Sequence, residues 1–187
     1  SPDWLHKLGY APNQWQEIYD RAISIMKEIF DEFPSVPMVT SGNIGPRYDG
    51  YVLGRTMTAE ESQDYHSPQV RSFQIAGANM VTAVTLNSIH DGIGIVRAAQ
   101  KIGIPIVLSF TVETKGCLIS GETLQQVIEA VDEATDQGPA YYMINCAHPT
   151  HFMPFLKSSS SLSFLSRIGG VRANASRKSH AELDESD

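Results

Sequence analysis

The sequence predicts an α/β fold on a parallel sheet, of the (β/α)8-barrel type but present as an incomplete barrel. Three observations lead there. Short, nearly continuous apolar runs alternate with longer stretches of helical periodicity, the pattern of strands whose faces are covered by helices. Each run ends on its C-terminal side in a polar, irregular segment, successively SGNIGPRYDG, TLNS, SFTVET, NCAHP and NAS. Loops of this kind gathered on one face are what a barrel needs, whereas a doubly wound sheet concentrates its ligand contacts at one switch point. Finally, 187 residues hold about five strand runs, short of the ~250 residues of a closed eight-stranded barrel, so a fragment with two open sheet edges is expected.

Element by element, Trp15, Ile18, Ala22, Ile25 or Met26, and Ile29 recur at three- and four-residue intervals, which places one face of a helix on a core until Pro34 stops it. Residues 36–46, VPMVTSGNIGP, open as a β-branched run and break into Gly, Asn and Pro, the pattern of a buried strand leading into a loop. Thr58 with Glu61 makes a capping box, since the hydroxyl satisfies one orphan amide while the carboxylate reaches back to another; the helix runs to about Ala76, with Gly77 as its stop. The unit then repeats. A strand is expected over 79–84, then a helix capped by Ser88 and Asp91 and closed by Gly103, and a strand over 105–110. Leu124, Val127, Ile128 and Val131 mark the following helix, AYYMIN the next strand, and residues 167–174 a weak further strand after a Ser-rich connection. The polar end, SRKSHAELDESD, reads as solvated linker or disordered tail. The domain division is therefore a partial barrel over 1–174 and a tail over 175–187.

Composition excludes several function classes. A net charge of -7 gives no electrostatic footprint for nucleic acid or an anionic membrane surface, and the basic cluster between Arg172 and Lys178 is diluted by Glu182, Asp184, Glu185 and Asp187. No apolar run approaches the ~18 residues of a membrane helix. The 2 cysteines, Cys117 and Cys146, lie in different segments and form neither a CxxC pair nor a disulfide framework, which fits a reducing, cytoplasmic setting. No GxGxxG or GxxxxGK[ST] motif supports a nucleotide site. Beginning on Ser1 rather than Met, the sequence is expected to be part of a longer product.

The chemistry centres on AYYMINCAHP, residues 140–149, where a strand stops on Asn145, Cys146 and, two residues on, His148. At the end of a parallel strand Cys146 points toward the shared loop face. It reads either as a small buried core residue or, with His148 and His151, as a C-x-H-x-x-H cluster that could hold zinc with an open position for hydrolysis. His66 and His90, near helix starts, read as surface or capping residues. Asn43, Arg47, Tyr48 and Asp49 read either as specificity contacts of a loop or as turn chemistry, since Gly42-Asn43 and Asp49-Gly50 are turn dipeptides. Cys117 reads as structural or incidental.

Four stretches in order, SGNIGPRYDGY (41–51), YHSPQVRSFQIAGANMV (65–81), IPIVLSFTVETKGCLISGETLQQVI (104–128) and INCAHP (144–149), resemble the homocysteine S-methyltransferase family. That resemblance implies a zinc-dependent TIM barrel moving a methyl group from a sulfonium or betaine-type donor to the homocysteine thiol, giving methionine. It implies Cys146 as the first of three thiolate ligands to zinc, because zinc-bound homocysteine sulfur is held as the nucleophilic thiolate near neutral pH. Asn145, Thr111 and Asn43 are the implied substrate-binding residues, in a mouth that Ser109 and Phe110 also line. The family's Gly-Gly-Cys-Cys motif, source of the other two ligands, and its early Asp-Gly-Gly segment are absent, and Val84 stands before Thr85 where relatives carry an acid. The 187 residues alone are thus expected to be inactive. The expected partners are homocysteine, a small methyl donor and a second copy of the chain, and the alternative is a non-catalytic, self-associating module of the same fold.

Overall fold

The computed structural model describes residues 1–52, 54–158 and 162–185. Five strands form one sheet in the order β1-β2-β3-β4-β5: Ser41–Ile44, Met80–Leu86, Ile106–Phe110, Tyr141–Asn145 and Ile168–Arg172. All four pairings are parallel, and each strand lies beside the one before it in sequence. Such an order contains no reversal, so there is no switch point of the doubly wound kind, and the sheet is an open piece of a barrel wall.

The helices follow from local signals. After a short α1 (Pro2–Lys7), α2 spans Trp15–Glu32 and α3 Ala59–Ile75. In α3 Thr58 Oγ1 accepts from the Glu61 amide while the Glu61 carboxylate accepts from the Thr58 amide, as the capping box requires. α4 (Ile89–Ile102) starts at Ser88, whose hydroxyl accepts from the Asp91 amide, and stops at Gly103 in the left-handed region with φ 80°. α5 (Leu124–Thr135) opens with a Thr123–Gln126 capping box, and α6 (Pro149–Ser158) and α7 (Leu162–Ser166) lead into β5. Helix-facing residues of the central strands, among them Val81, Ala83, Leu108, Phe110, Tyr142 and Ile144, are fully buried and form the core with Val96, Val127, Ile128 and Val131. No helix among the described residues is long and apolar enough to cross a membrane.

Five local expectations need correction. The first strand is Ser41–Ile44 and not the run from Val36, because Pro37 has no amide to donate and Val36 and Val39 are exposed. Pairing starts only at Thr40, whose carbonyl accepts from the Asn79 and Met80 amides. In α2 the buried side chains are Tyr19 and Ile23, with Tyr19 edge-on to Phe73 at 4.8 Å; the expected Trp15, Ile18 and Met26 pack partly buried against the core, while Ala22, Ile25 and Ile29 are exposed.

His66 is fully buried instead of lying at the surface, and the Asp91 carboxylate does not cap. Gly94 explains both. A Cβ there would stand 2.5 Å from the Ala59 carbonyl and Ser62, so α4 lies directly against the α3 backbone and the two enclose a polar layer. In it Ser62 Oγ donates to Asp91 Oδ1 at 2.8 Å and His66 Nε2 lies 3.6 Å from the same oxygen.

Finally, part of the segment expected as solvated tail is structured. His180–Asp184 forms α8, capped by a reciprocal Ser179–Glu182 box. His180 itself is buried.

Candidate functional site

Two strands end in an unusual way at the C-terminal edge of the sheet. Thr85 in β2 has φ 62° and Cys146, just past β4, has φ 53°. Left-handed backbone is uncommon for non-glycine residues and costly for a β-branched one, so surrounding structure must hold both. At Thr85 the β2–β3 register shifts between Ala83 and Leu86.

Asn145, the last residue of β4 and 2% exposed, supplies that support. Its Oδ1 accepts from Ser109 Oγ of β3 at 2.6 Å and from the Thr85 amide of β2 at 2.9 Å. Its Nδ2 donates to Thr85 Oγ1 at 2.9 Å and to Cys146 Sγ at 3.0 Å. One side chain thus joins three neighbouring strands with its acceptor and donor capacity filled, which fixes the amide orientation and leaves the half-buried thiol oriented by a donor. Tyr51, from the loop after β1, completes the group. Burial, then its hydrogen bond to Cys146 and repulsion from that sulfur, push the phenol up to about 12, so it stays protonated and neutral at physiological pH.

A second contact reaches Cys146 at its backbone carbonyl. His180 places Nδ1 2.7 Å from Glu113 Oε1 and Nε2 2.7 Å from the Cys146 carbonyl, and its ring packs on Tyr51 with centroids 4.2 Å apart. Beside this group lies a cleft of about 280 Å³ between the loops after β1, β2 and β3, lined by Tyr48, Asp49, Arg55, Asn87, Asp91 and Glu122 among others.

The sequence-predicted residues fare unequally. Asn145 and Cys146 meet at the mouth with Ser109. Thr111 is 4% exposed, its amide donates to the Leu86 carbonyl, and its hydroxyl has no partner among the described residues. Asn43 is exposed on β1, level with Thr82, and stands outside the hydrogen-bonded group. Arg47 is turned to the N-terminus, where it pairs with Asp3 at 3.0 Å and lies over the Tyr65 ring. Tyr48 and Asp49 line the cleft. Cys117 is in a separate turn, bridged to Thr123.

The Cys-His-His cluster does not form. His148 Nδ1 is engaged with Thr150 Oγ1 at 2.8 Å, and His151 Nε2 faces the Arg177 carbonyl at 3.0 Å. Among the described residues no three His, Cys, Asp or Glu side chains converge on one point that could hold an ion. Cys146 is thus a lone sulfur donor, and the described residues do not by themselves fit the three-ligand zinc centre that the sequence resemblance implied.

Residues that sequence reasoning missed are Tyr51, Glu113 and His180. For His180 one signal was present, the S-x-x-E spacing of Ser179 and Glu182 that marks a helix start.

Comparison with known proteins bears on this geometry. None of the curated proteins compared with the chain matches it. The chain is similar in structure to the homocysteine methyltransferase MmuM from Escherichia coli. Against the apo form the TM-score is 0.66 at 18% identity over 94% of this chain and 74% of that one. Against the metallated form it is 0.71 at 17% identity, over 96% of this chain and 72% of that one. At such identities the likeness establishes the barrel fold. The family model described as homocysteine S-methyltransferase matches residues 2–186, nearly the whole sequence, and the chain therefore belongs to the homocysteine S-methyltransferase family.

Proposed function

We propose that this chain carries the sulfur-binding mouth of a methyl transfer from a sulfonium or betaine-type donor to homocysteine, giving methionine. The observation that carries the reading is the Asn145–Cys146 pair: a thiol at a strand end, held by a side chain that ties three strands. In the reaction the homocysteine thiolate forms a bond to the methyl carbon as that carbon's bond to the donor sulfur or nitrogen breaks, the electron pair leaving with the donor. The protein's part is orientation and exclusion of water. Asn145 is rigid enough to set the position of the reacting sulfur, the neutral Tyr51 phenol adds no charge that would repel an anionic thiolate, and the unpartnered Thr111 hydroxyl is a candidate contact for homocysteine, with Asn43 at the outer rim.

Cys146 is proposed as the first zinc ligand of a centre whose other ligands lie outside the described residues. Accordingly the 187 residues alone are inactive and hold less than one zinc per chain. The two free thiols suit a reducing, cytoplasmic setting. A second reading, a self-associating module without catalysis, is favoured by Ile25, Ile29 and Phe33, exposed in and just after α2, together with the open sheet.

The test is titration calorimetry with homocysteine, alongside zinc per chain by elemental analysis, on the wild type and Cys146→Ala. Homocysteine binding that Cys146→Ala weakens supports the sulfur mouth. No homocysteine binding, together with concentration-dependent dimerisation in sedimentation, would favour the module.

A further inference from the structure

His180 is buried, comes from the segment after β5, and meets residues of three other strand-end loops: Tyr51 after β1, Glu113 after β3 and Cys146 after β4. Both ring nitrogens lie 2.7 Å from oxygens, Nδ1 from Glu113 Oε1 and Nε2 from the Cys146 carbonyl, which can only accept. The Cys146 carbonyl belongs to the residue whose φ is 53°, and the other side of that residue is held by its amide bonded to the Arg172 carbonyl at 3.1 Å. The strained residue is therefore gripped at its amide, its sulfur and its carbonyl. Of these grips only the carbonyl one comes from a helix, α8, whose capping box sets the approach of its first residue.

We propose that His180 is a positioning residue for Cys146: bridging Glu113 and the Cys146 carbonyl, it locks the left-handed backbone that points the sulfur into the mouth and straps the segment after β5 across it. The inference deepens the proposed function, resting on the reading that Cys146 is the sulfur of the site, but it concerns geometry and needs no turnover to test.

The experiment follows alkylation of the two thiols by iodoacetamide in the full chain, resolved by peptide mass spectrometry, with Cys117 as internal reference. With His180→Ala the Cys146 rate rises about tenfold, the scale of one hydrogen bond, while Cys117 stays within about twofold. His180→Gln, which retains one donor, brings Cys146 partly back, to a rise of about threefold. An unchanged or slower Cys146, or an equal rise at both cysteines, overturns the proposal, since a general loosening would not single out one thiol. If His180→Ala does not fold, His180→Gln alone decides: a selective rise supports the clamp and none overturns it. Homocysteine binding left intact by Cys146→Ala, beside a selective alkylation effect of His180→Ala, would keep the clamp and remove the functional reading.

Discussion

The two ends of the sheet use the same backbone conformation for opposite purposes. At the N-terminal end α4 is turned toward β3 by Gly103 at φ 80°, with nothing within 4 Å of where a Cβ would sit. At the C-terminal end the left-handed positions are Thr85 and Cys146, which carry side chains and have those side chains hydrogen-bonded. Where the left-handed residue presents a functional group, at Thr85 and Cys146, the cost is borne and braced; where the chain only turns, the fold uses Gly103 after α4 but also the non-glycine pair Asp136 and Gln137 after α5. Left-handed backbone alone therefore does not mark the site; its bracing by Asn145 does, and that was not visible in composition or periodicity.

That contrast can be broken most severely at the brace. Asn145→Ala leaves the Thr85 amide and the Ser109 hydroxyl without their acceptor, and a loss of about 3 kcal/mol in urea unfolding is expected, together with loss of homocysteine binding. A loss below about 1 kcal/mol would show that Asn145 is not what holds the two strained residues. Next come paired glycine exchanges of opposite sign. Gly103→Ala costs about 1 kcal/mol and leaves the mouth untouched, whereas Cys146→Gly relieves a similar strain, keeps or raises stability and abolishes homocysteine binding. A destabilised Cys146→Gly would mean that the thiol contributes packing beyond its strain.

The smallest effect is expected far from the mouth, at the seam between α2 and α3. Burial, with a minor contribution from Tyr65, pushes the Tyr19 phenol up to about 12. A pKa raised in the folded state makes a contribution to stability that is complete below the ordinary tyrosine value of about 10 and is lost as pH rises through 12. Thermal denaturation should fall in that window for the wild type and less steeply for Tyr19→Phe. Equal slopes would place the alkaline loss elsewhere.

What could be read from the sequence was what is local. The Thr58–Glu61 capping box, the Ser88 cap and the Gly103 stop each depend on residues within four positions, and the structure has all three. Order and direction of the strands followed from the alternation of runs. The first strand was placed too early because a β-branched run outweighed Pro37, and the α2 face was right at Trp15, Ile18 and Met26 but missed Tyr19 and Ile23 and included Ile29, which fits the period without being covered. His66 and Asp91 were misjudged since their burial is decided by the close approach of α3 and α4 at Gly94, a contact between two helices. At the site, Asn145 and Cys146 were legible as a pair. Tyr51, Glu113 and His180 were not, because they reach it from loops separated by tens of residues, and only the closed tertiary arrangement brings them there.

The strict succession of strands has a kinetic consequence. Each strand docks on the one synthesised just before it, so the sheet can grow by one β-α unit at a time along a single advancing edge. Every added unit needs loop closure over only its own helix, which keeps contacts short in sequence for a parallel sheet and lets assembly follow the ribosome. The cross-strand bonds of Asn145 would then be among the late events, forming once β2, β3 and β4 are aligned, so that the thiol becomes fixed only on a wall already built.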